Sequence, residues 1–264
     1  MNEVGFLFND LKSRVRSKGL DTLIHFVTNR CNARCAFCFY LEELNTPTDE
    51  LTLAEVEKIA GQLGSLRGLL IGGGEPFLRK DLGDVIGVYV EQCNVEVVQI
   101  PTNGFYTDRI ITTVGRLISR FPHLNLTISV SVDAVGEAHD VIRKVPGMFK
   151  KIQETLAALA KMKSKEKSLR VIIVSVLTPE TISKSSGLSQ YVREEIRPDL
   201  HWFEPVRDNA QMAEKMVLSD EDVKFLYANL SHYLSKVKGS SSSIYASNLL
   251  NKVFAEFSLG KNFI

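Results

Sequence analysis

Two hydrophobic periods alternate along this chain. Short apolar runs rich in β-branched residues occupy positions 23–27, 68–71, 95–100, 124–132, 169–177 and 200–203, and such runs read as strands. Between them apolar residues recur at helical spacing. The sets are Leu53, Val56, Ile59, Ala60 and Leu63; Leu82, Val85, Ile86 and Tyr89; Ile110, Ile111, Val114, Leu117 and Ile118; and Ile152, Leu156, Leu159 and Met162. A further helical stretch at 191–196 follows the fifth run. Regular alternation of strand and helix predicts a parallel sheet assembled from right-handed βαβ units. Six strands fall short of the eight that close a barrel. The expected fold is therefore α/β, an open, partial (β/α)6 TIM-like barrel whose working face lies at the carboxyl ends of its strands. A doubly wound sheet is the alternative.

Local signals refine the boundaries. Thr52 followed by Glu55 spells a capping box, and Thr107 and Asp108 are predicted to cap the helix over 110–118. Residues 1–20 read as a polar N-terminal helical extension, 21–206 as the barrel, and 207–264 as a C-terminal helical segment. Two helical patterns in that last segment, 221–237 and 244–257, flank a serine-rich break at 240–243.

Composition narrows the partners. With 32 Lys and Arg against 31 Asp and Glu the net charge is +1, which gives no electrostatic reason to expect nucleic acid or an anionic membrane surface. One basic run, Lys161, Lys163, Lys165, Lys167 and Arg170 around Glu166, lacks interleaved aromatics and reads as the solvated end of a helix. No stretch is apolar for the roughly 18 residues a membrane span requires, and the first ten residues lack the order of a secretory signal. The expected location is cytoplasmic.

Three of the four cysteines crowd into one loop after the first strand, Cys31, Cys35 and Cys38, in a C-x3-C-x2-C spacing. Closed zinc sites take four protein ligands, and the nearest other donors in sequence, Cys93 and His25, complete no second paired knuckle. Three thiolates suit a 4Fe-4S cluster in which one iron has no protein ligand and can bind something else. Zinc with a further ligand from elsewhere, and three free cysteines, are the competing readings. At this point the chain resembles the radical S-adenosylmethionine (radical SAM) enzymes, whose C-x3-C-x-aromatic-C signature is matched by Cys31, Cys35, Phe37 and Cys38. The resemblance implies that the open iron is chelated by the amino and carboxylate groups of S-adenosylmethionine, with Phe37 beside the adenine.

Further motifs extend the likeness over residues 21–206. The second strand ends in Gly72, Gly73, Gly74, Glu75, Pro76, where missing side chains let backbone approach closely and Glu75 offers an acceptor to a cation. This is similar to the family's G-G-E-P motif, which implies that Gly73, Gly74 and Glu75 hold the methionyl end. The Thr102, Asn103, Gly104 and Ser131, Val132, Asp133 elements resemble those of a subgroup with cofactor-synthesis and peptide-modifying members. By that likeness Thr102, Asn103 and Ser131 face S-adenosylmethionine, Asp133 serves as a turn or cap residue, and Arg143 of the H-D-x-I-R run (His139 to Arg143) approaches the methionyl carboxylate. Glu204 at the end of the sixth strand is expected to face the substrate. Cys93, His25, His123, His201 and His232 are expected to be structural.

The resemblance implies an enzyme that reductively cleaves S-adenosylmethionine at the cluster to a 5′-deoxyadenosyl radical. That radical takes hydrogen from, or adds to, a peptide or small-metabolite substrate, with an electron donor such as a flavodoxin or ferredoxin. Many members of this subgroup (SPASM-type relatives) continue into a Cys-rich domain with auxiliary clusters, whereas only Cys93 lies outside the loop here. Two other classes stay open on sequence: a non-catalytic iron-sulfur or zinc-binding interaction module, and a fragment that needs further C-terminal residues to act.

Overall fold

The computed structural model describes residues 20–206. The expected N-terminal helix and the two C-terminal helices lie outside the described residues. Six strands, β1 (Thr22–Phe26), β2 (Gly68–Gly72), β3 (Val97–Thr102), β4 (Asn125–Ser131), β5 (Leu169–Leu177) and β6 (Leu200–Pro205), form one sheet. Every neighbouring pair is parallel and the spatial order follows the chain order. That order decides between the two expected architectures. A doubly wound sheet reverses direction at a switch point, and this sheet never does. Successive right-handed crossovers that advance the same way deposit all their helices on one face. Helices α1 (Leu53–Leu63), α2 (Leu82–Cys93), α3 (Thr107–Arg120) and α5 (Met148–Lys163) accordingly pack each against the next. Strands β1 and β6 do not pair with each other among the described residues, so the arrangement is a partial, open (β/α)6 barrel.

The register sorts the strand residues into two faces. Leu69, Ile71, Val98, Ile100, Leu126, Ile128, Val130 and Ile173 point to the helices and are buried in a single core, where each large aliphatic side chain contributes about 1.5–3 kcal/mol. The alternating set, Ile24 and Phe26 on β1, Leu70 on β2, Gln99 on β3, Thr127 and Ser131 on β4, lines the concave side. Ile24 and Phe26 remain 59% and 45% exposed, which marks this side as an accessible surface rather than a second core.

Three local expectations change. The capping box at Thr52 and Glu55 is present in both directions, but α3 begins at Thr107 itself, with Tyr106 at the cap position and no side-chain cap bond. The Thr107 hydroxyl bonds that of Thr155 on α5 at 2.7 Å instead, tying two helices together. Two short helices, α4 (Glu137–Arg143) and α6 (Ser185–Tyr191), have too few turns to show a period, and the 191–196 stretch is a π-helical turn, Val192–Ile196. Among the described residues no helix is long and apolar enough to cross a membrane.

Candidate active site

The chemistry-bearing residues gather at the carboxyl ends of β1 to β4. The cysteine loop leaves β1 and is held from three sides. Asn45 brackets Cys31 with a reciprocal pair, accepting from the Cys31 N–H and donating to its carbonyl, both at 3.0 Å. Asn29 donates to the Glu43 and Thr46 carbonyls at 2.9 and 2.8 Å, so the 43–46 turn forms the loop's outer wall. From beneath, the turn after β2 docks on it: the Gly74 N–H donates to the Thr28 carbonyl and the Glu75 N–H to the Arg30 carbonyl, both at 2.8 Å. A Cβ at Gly73 or Gly74 would stand 2.3 Å from the Thr28 or Arg30 carbonyl oxygen, and Gly73 has φ +130°. The close approach that demands glycine is to the protein's own cysteine loop.

Glu75 is buried, with Oε1 accepting from the Thr102 hydroxyl at 2.8 Å and the Phe77 N–H at 3.2 Å, and Oε2 from the Asn103 N–H at 2.7 Å. Burial pushes its carboxyl up to about 7, against the pull of those hydrogen bonds. Two lone-pair positions per oxygen leave Oε2 able to accept one further donor. Thr102 and Asn103 therefore act here through other groups. The Thr102 hydroxyl also accepts from the Gly104 N–H at 3.0 Å, and the Asn103 side chain accepts from the Phe105 N–H at 3.1 Å while donating to Asn32 Oδ1 at 2.8 Å. Ser131 lies half-buried on the concave side of β4, its hydroxyl without a hydrogen bond among the described residues.

Arg143, at the end of α4, is buried with its guanidinium 5.3 Å from the centre of the Phe37 ring and in hydrogen-bonding reach of the Cys35 sulfur. Its Nε donates to Asp133 Oδ2 at 2.6 Å. Burial opposes the charge, but the Asp133 carboxylate and the Cys35 sulfur outweigh it and hold the guanidinium protonated. Asp133 is thus the buried counter-ion of Arg143 rather than a cap, and its Oδ1 takes the Val176 N–H of β5 at 2.9 Å. The Asp133 N–H donates to His139 Nδ1 at 3.1 Å, which places the His139 proton on Nε2, and burial holds that ring neutral down to about 4. Asn45, Asn32 and Asp133 are the residues the sequence reading did not assign to the site. Asn32, between Cys31 and Cys35, and Asp133, in the Ser131 to Asp133 element, carried a signal by position; Asn45 carried none.

The remaining expectations fall where the burial pattern puts them. The Cys93 thiol donates to the Ala60 carbonyl, His25 pairs with Tyr89 at 3.2 Å, and His201 with Ser175 at 2.8 Å, all away from the cysteine loop. His123 packs edge-on against Phe121, and His232 lies outside the described residues. Glu204 sits on the concave row beside Val176. Most of the basic run at the end of α5 is exposed, and Lys163 pairs with Asp199.

Two features bear on an iron-sulfur cofactor. Cys31, Cys35 and Cys38 are free thiols on one loop, and burial raises the first to about 11 and the third above its usual value, so a metal bound there would have to displace their protons. Lastly, Asn32 Nδ2 is buried without an acceptor among the described residues, a cost of about 1–3 kcal/mol that an arriving acceptor would relieve. Fold and loop together define a partial-barrel protein with three free thiols on the loop after its first strand.

Comparison with known proteins makes this specific. The sequence pattern of the Radical SAM superfamily matches residues 26–185, and the chain belongs to that superfamily, whose members use a 4Fe-4S cluster and S-adenosylmethionine. It is 31% identical over 146 residues to the GTP 3′,8-cyclase of Rhodopirellula baltica, covering 53% of this chain and 39% of the relative. It is 29% identical over 126 residues to the Fe-coproporphyrin III synthase of Methanosarcina barkeri, covering 47% and 30%. The matched stretches thus span well under half of these relatives' lengths. Among solved structures, Streptococcus suis SuiB bound to S-adenosylmethionine shares the fold, with TM-score 0.63, 15% identity and coverage of 87% of this chain and 51% of that one. SuiB bound to its precursor peptide SuiA gives 0.66, 14%, 89% and 50%.

Proposed function

We propose that this chain is the catalytic barrel of a radical SAM enzyme acting in the cytoplasm on a peptide or small metabolite, with a flavodoxin or ferredoxin as electron donor. The observation that carries the reading is the docking of the Gly73, Gly74, Glu75 turn onto the cysteine loop through two 2.8 Å backbone hydrogen bonds. It brings a buried carboxylate with one open acceptor position to the foot of three thiols.

In this reading Cys31, Cys35 and Cys38 hold the cluster. Bound there, a reduced cluster would supply the electron that splits S-adenosylmethionine into methionine and a 5′-deoxyadenosyl radical, which would take hydrogen from, or add to, the substrate. The protein's part is binding and orientation. Glu75 Oε2 accepts from the methionyl ammonium, and the two donors already on Oε1 fix its rotamer. Arg143 and Ser131 serve the methionyl carboxylate, Phe37 borders the adenine, and the concave strand face receives the substrate. The relatives and structural neighbours named above act on, or are bound to, a nucleotide, a porphyrin and a precursor peptide, and the substrate class proposed here is correspondingly broad.

The test is anaerobic reconstitution with iron and sulfide, then reductant and S-adenosylmethionine, with 5′-deoxyadenosine detected by chromatography and mass spectrometry. The expected result is 5′-deoxyadenosine from the wild type and none from the variant with Cys31, Cys35 and Cys38 all replaced by Ala. A filled cluster without cleavage would refute the reading in favour of a binding module or of a fragment that needs further C-terminal residues to act.

A further inference from the structure

We propose that the side-chain amide of Asn32 donates a hydrogen bond to a sulfur of the cluster held by Cys31, Cys35 and Cys38, and thereby raises its reduction potential. The orientation of this amide follows from a chain of fixed donors. The Phe105 backbone N–H can only donate, and it meets Asn103 Oδ1 at 3.1 Å. The Asn103 amide nitrogen is therefore the atom that faces Asn32, at 2.8 Å, and the Asn32 atom receiving it must be Oδ1. Flipping Asn32 would set two NH2 groups against each other. Its Nδ2 is thus turned away from Asn103, buried, and without an acceptor among the described residues.

Position supplies the acceptor. Asn32 directly follows Cys31 and lies three residues before Cys35, so the group that completes the site next to it carries sulfur, as thiolate or as cluster sulfide. Hydrogen bonds to cluster sulfurs are among the factors that set reduction potential, and a donor stabilises the more negative, reduced form. Arg143 lies on the Cys35 side of the loop; Asn32 would serve the Cys31 side. Asn103 becomes a positioning residue, since its amide holds Asn32 in the donating orientation. The inference rests on the loop holding a 4Fe-4S cluster.

The test is an EPR-monitored redox titration of the reconstituted full chain without S-adenosylmethionine, comparing wild type, Asn32→Ala, Asn32→Asp and Asn103→Ala at equal iron and sulfide content. Asn32→Ala is expected to shift the reduction equilibrium about tenfold against the reduced form, a fall of about 59 mV for one electron. Asn32→Asp keeps the oxygen that accepts from Asn103, lacks the donor, and should fall at least as far, so the result survives if the alanine variant loses its cluster. Asn103→Ala should fall less. A purely structural side chain would change melting temperature or cluster occupancy but not the potential of filled sites. Equal potentials in wild type and both Asn32 variants would overturn the proposal, as would a shift seen only after S-adenosylmethionine is added. Failure of the wild type to assemble a 4Fe-4S cluster would instead defeat the reading of the loop itself.

Discussion

Gly74→Ala tests the junction that brings the two halves of the site together. Gly74 has an ordinary backbone angle, so the substitution adds a methyl group without conformational strain, unlike Gly73 at φ +130°. The new Cβ would stand 2.3 Å from the Arg30 carbonyl oxygen and 3.0 Å from Cys31 Cβ. Real Cβ contacts keep to at least 3.0 Å, so the cysteine loop must retreat by about 0.7 Å or the β2 turn must drop. Overpacking of this kind costs about 1–3 kcal/mol. The retreat also stretches the 2.8 Å bonds from Gly74 to Thr28 and Glu75 to Arg30, each worth roughly 0.5–1.5 kcal/mol. With those two bonds weakened rather than broken, a loss of about 2–4 kcal/mol leaves a domain of typical stability, about 5–15 kcal/mol, still folded. Urea unfolding of the metal-free protein should show that loss, and reconstitution should yield less iron per chain. Gly187→Ala is the control: its Cβ meets nothing within 4 Å on α6, and a helical Gly to Ala change should stabilise by about 0.5–1 kcal/mol. An unfolding midpoint and iron content for Gly74→Ala equal to wild type would refute the packing argument.

Two further predictions concern buried charge. Glu75 is raised to about 7 by burial, so in the metal-free protein its neutral form favours folding; that contribution is complete below the ordinary value near 4.5 and is lost as pH rises through 7. Glu75→Gln should therefore gain on wild type between pH 5 and 8, by about 3 kcal/mol at most, in melting temperatures read by circular dichroism; parallel curves would sink the assignment. Removing Asp133, whose side chain is fully buried against Arg143, should cost about 3–5 kcal/mol because the guanidinium loses its counter-ion. Asp133→Ala combined with Arg143→Met should recover part of that loss in urea unfolding, and a single-variant cost below about 1 kcal/mol would show the pair to be dispensable.

What was legible in the sequence follows the range over which each signal acts. Strands buried on a helical face announce themselves by β-branched runs, and all six expected runs lie within two residues of the observed strand ends, β3 starting two residues later, at Val97. Helix α4 has only seven residues and starts under Gly136, too short for a period to form, yet it delivers Arg143 to the site. The three cysteines and Glu75 stood out in the sequence because each lies within a contiguous motif. Their supports did not, since each depends on a partner that only the folded sheet supplies. Asn45 meets Cys31 across fourteen residues, Asn32 meets Asn103 across seventy-one, and Asp133 meets Val176 across forty-three. The same division explains Thr102 and Asn103. The motif points to them from sequence, and in the fold their side chains reach Glu75 and Asn32, so any influence they have on a ligand would be exerted through the geometry of those neighbours. Substitutions at Thr102 and Asn103 should accordingly behave like weakened versions of changes at Glu75 and Asn32, a hierarchy that direct ligand contact would not produce.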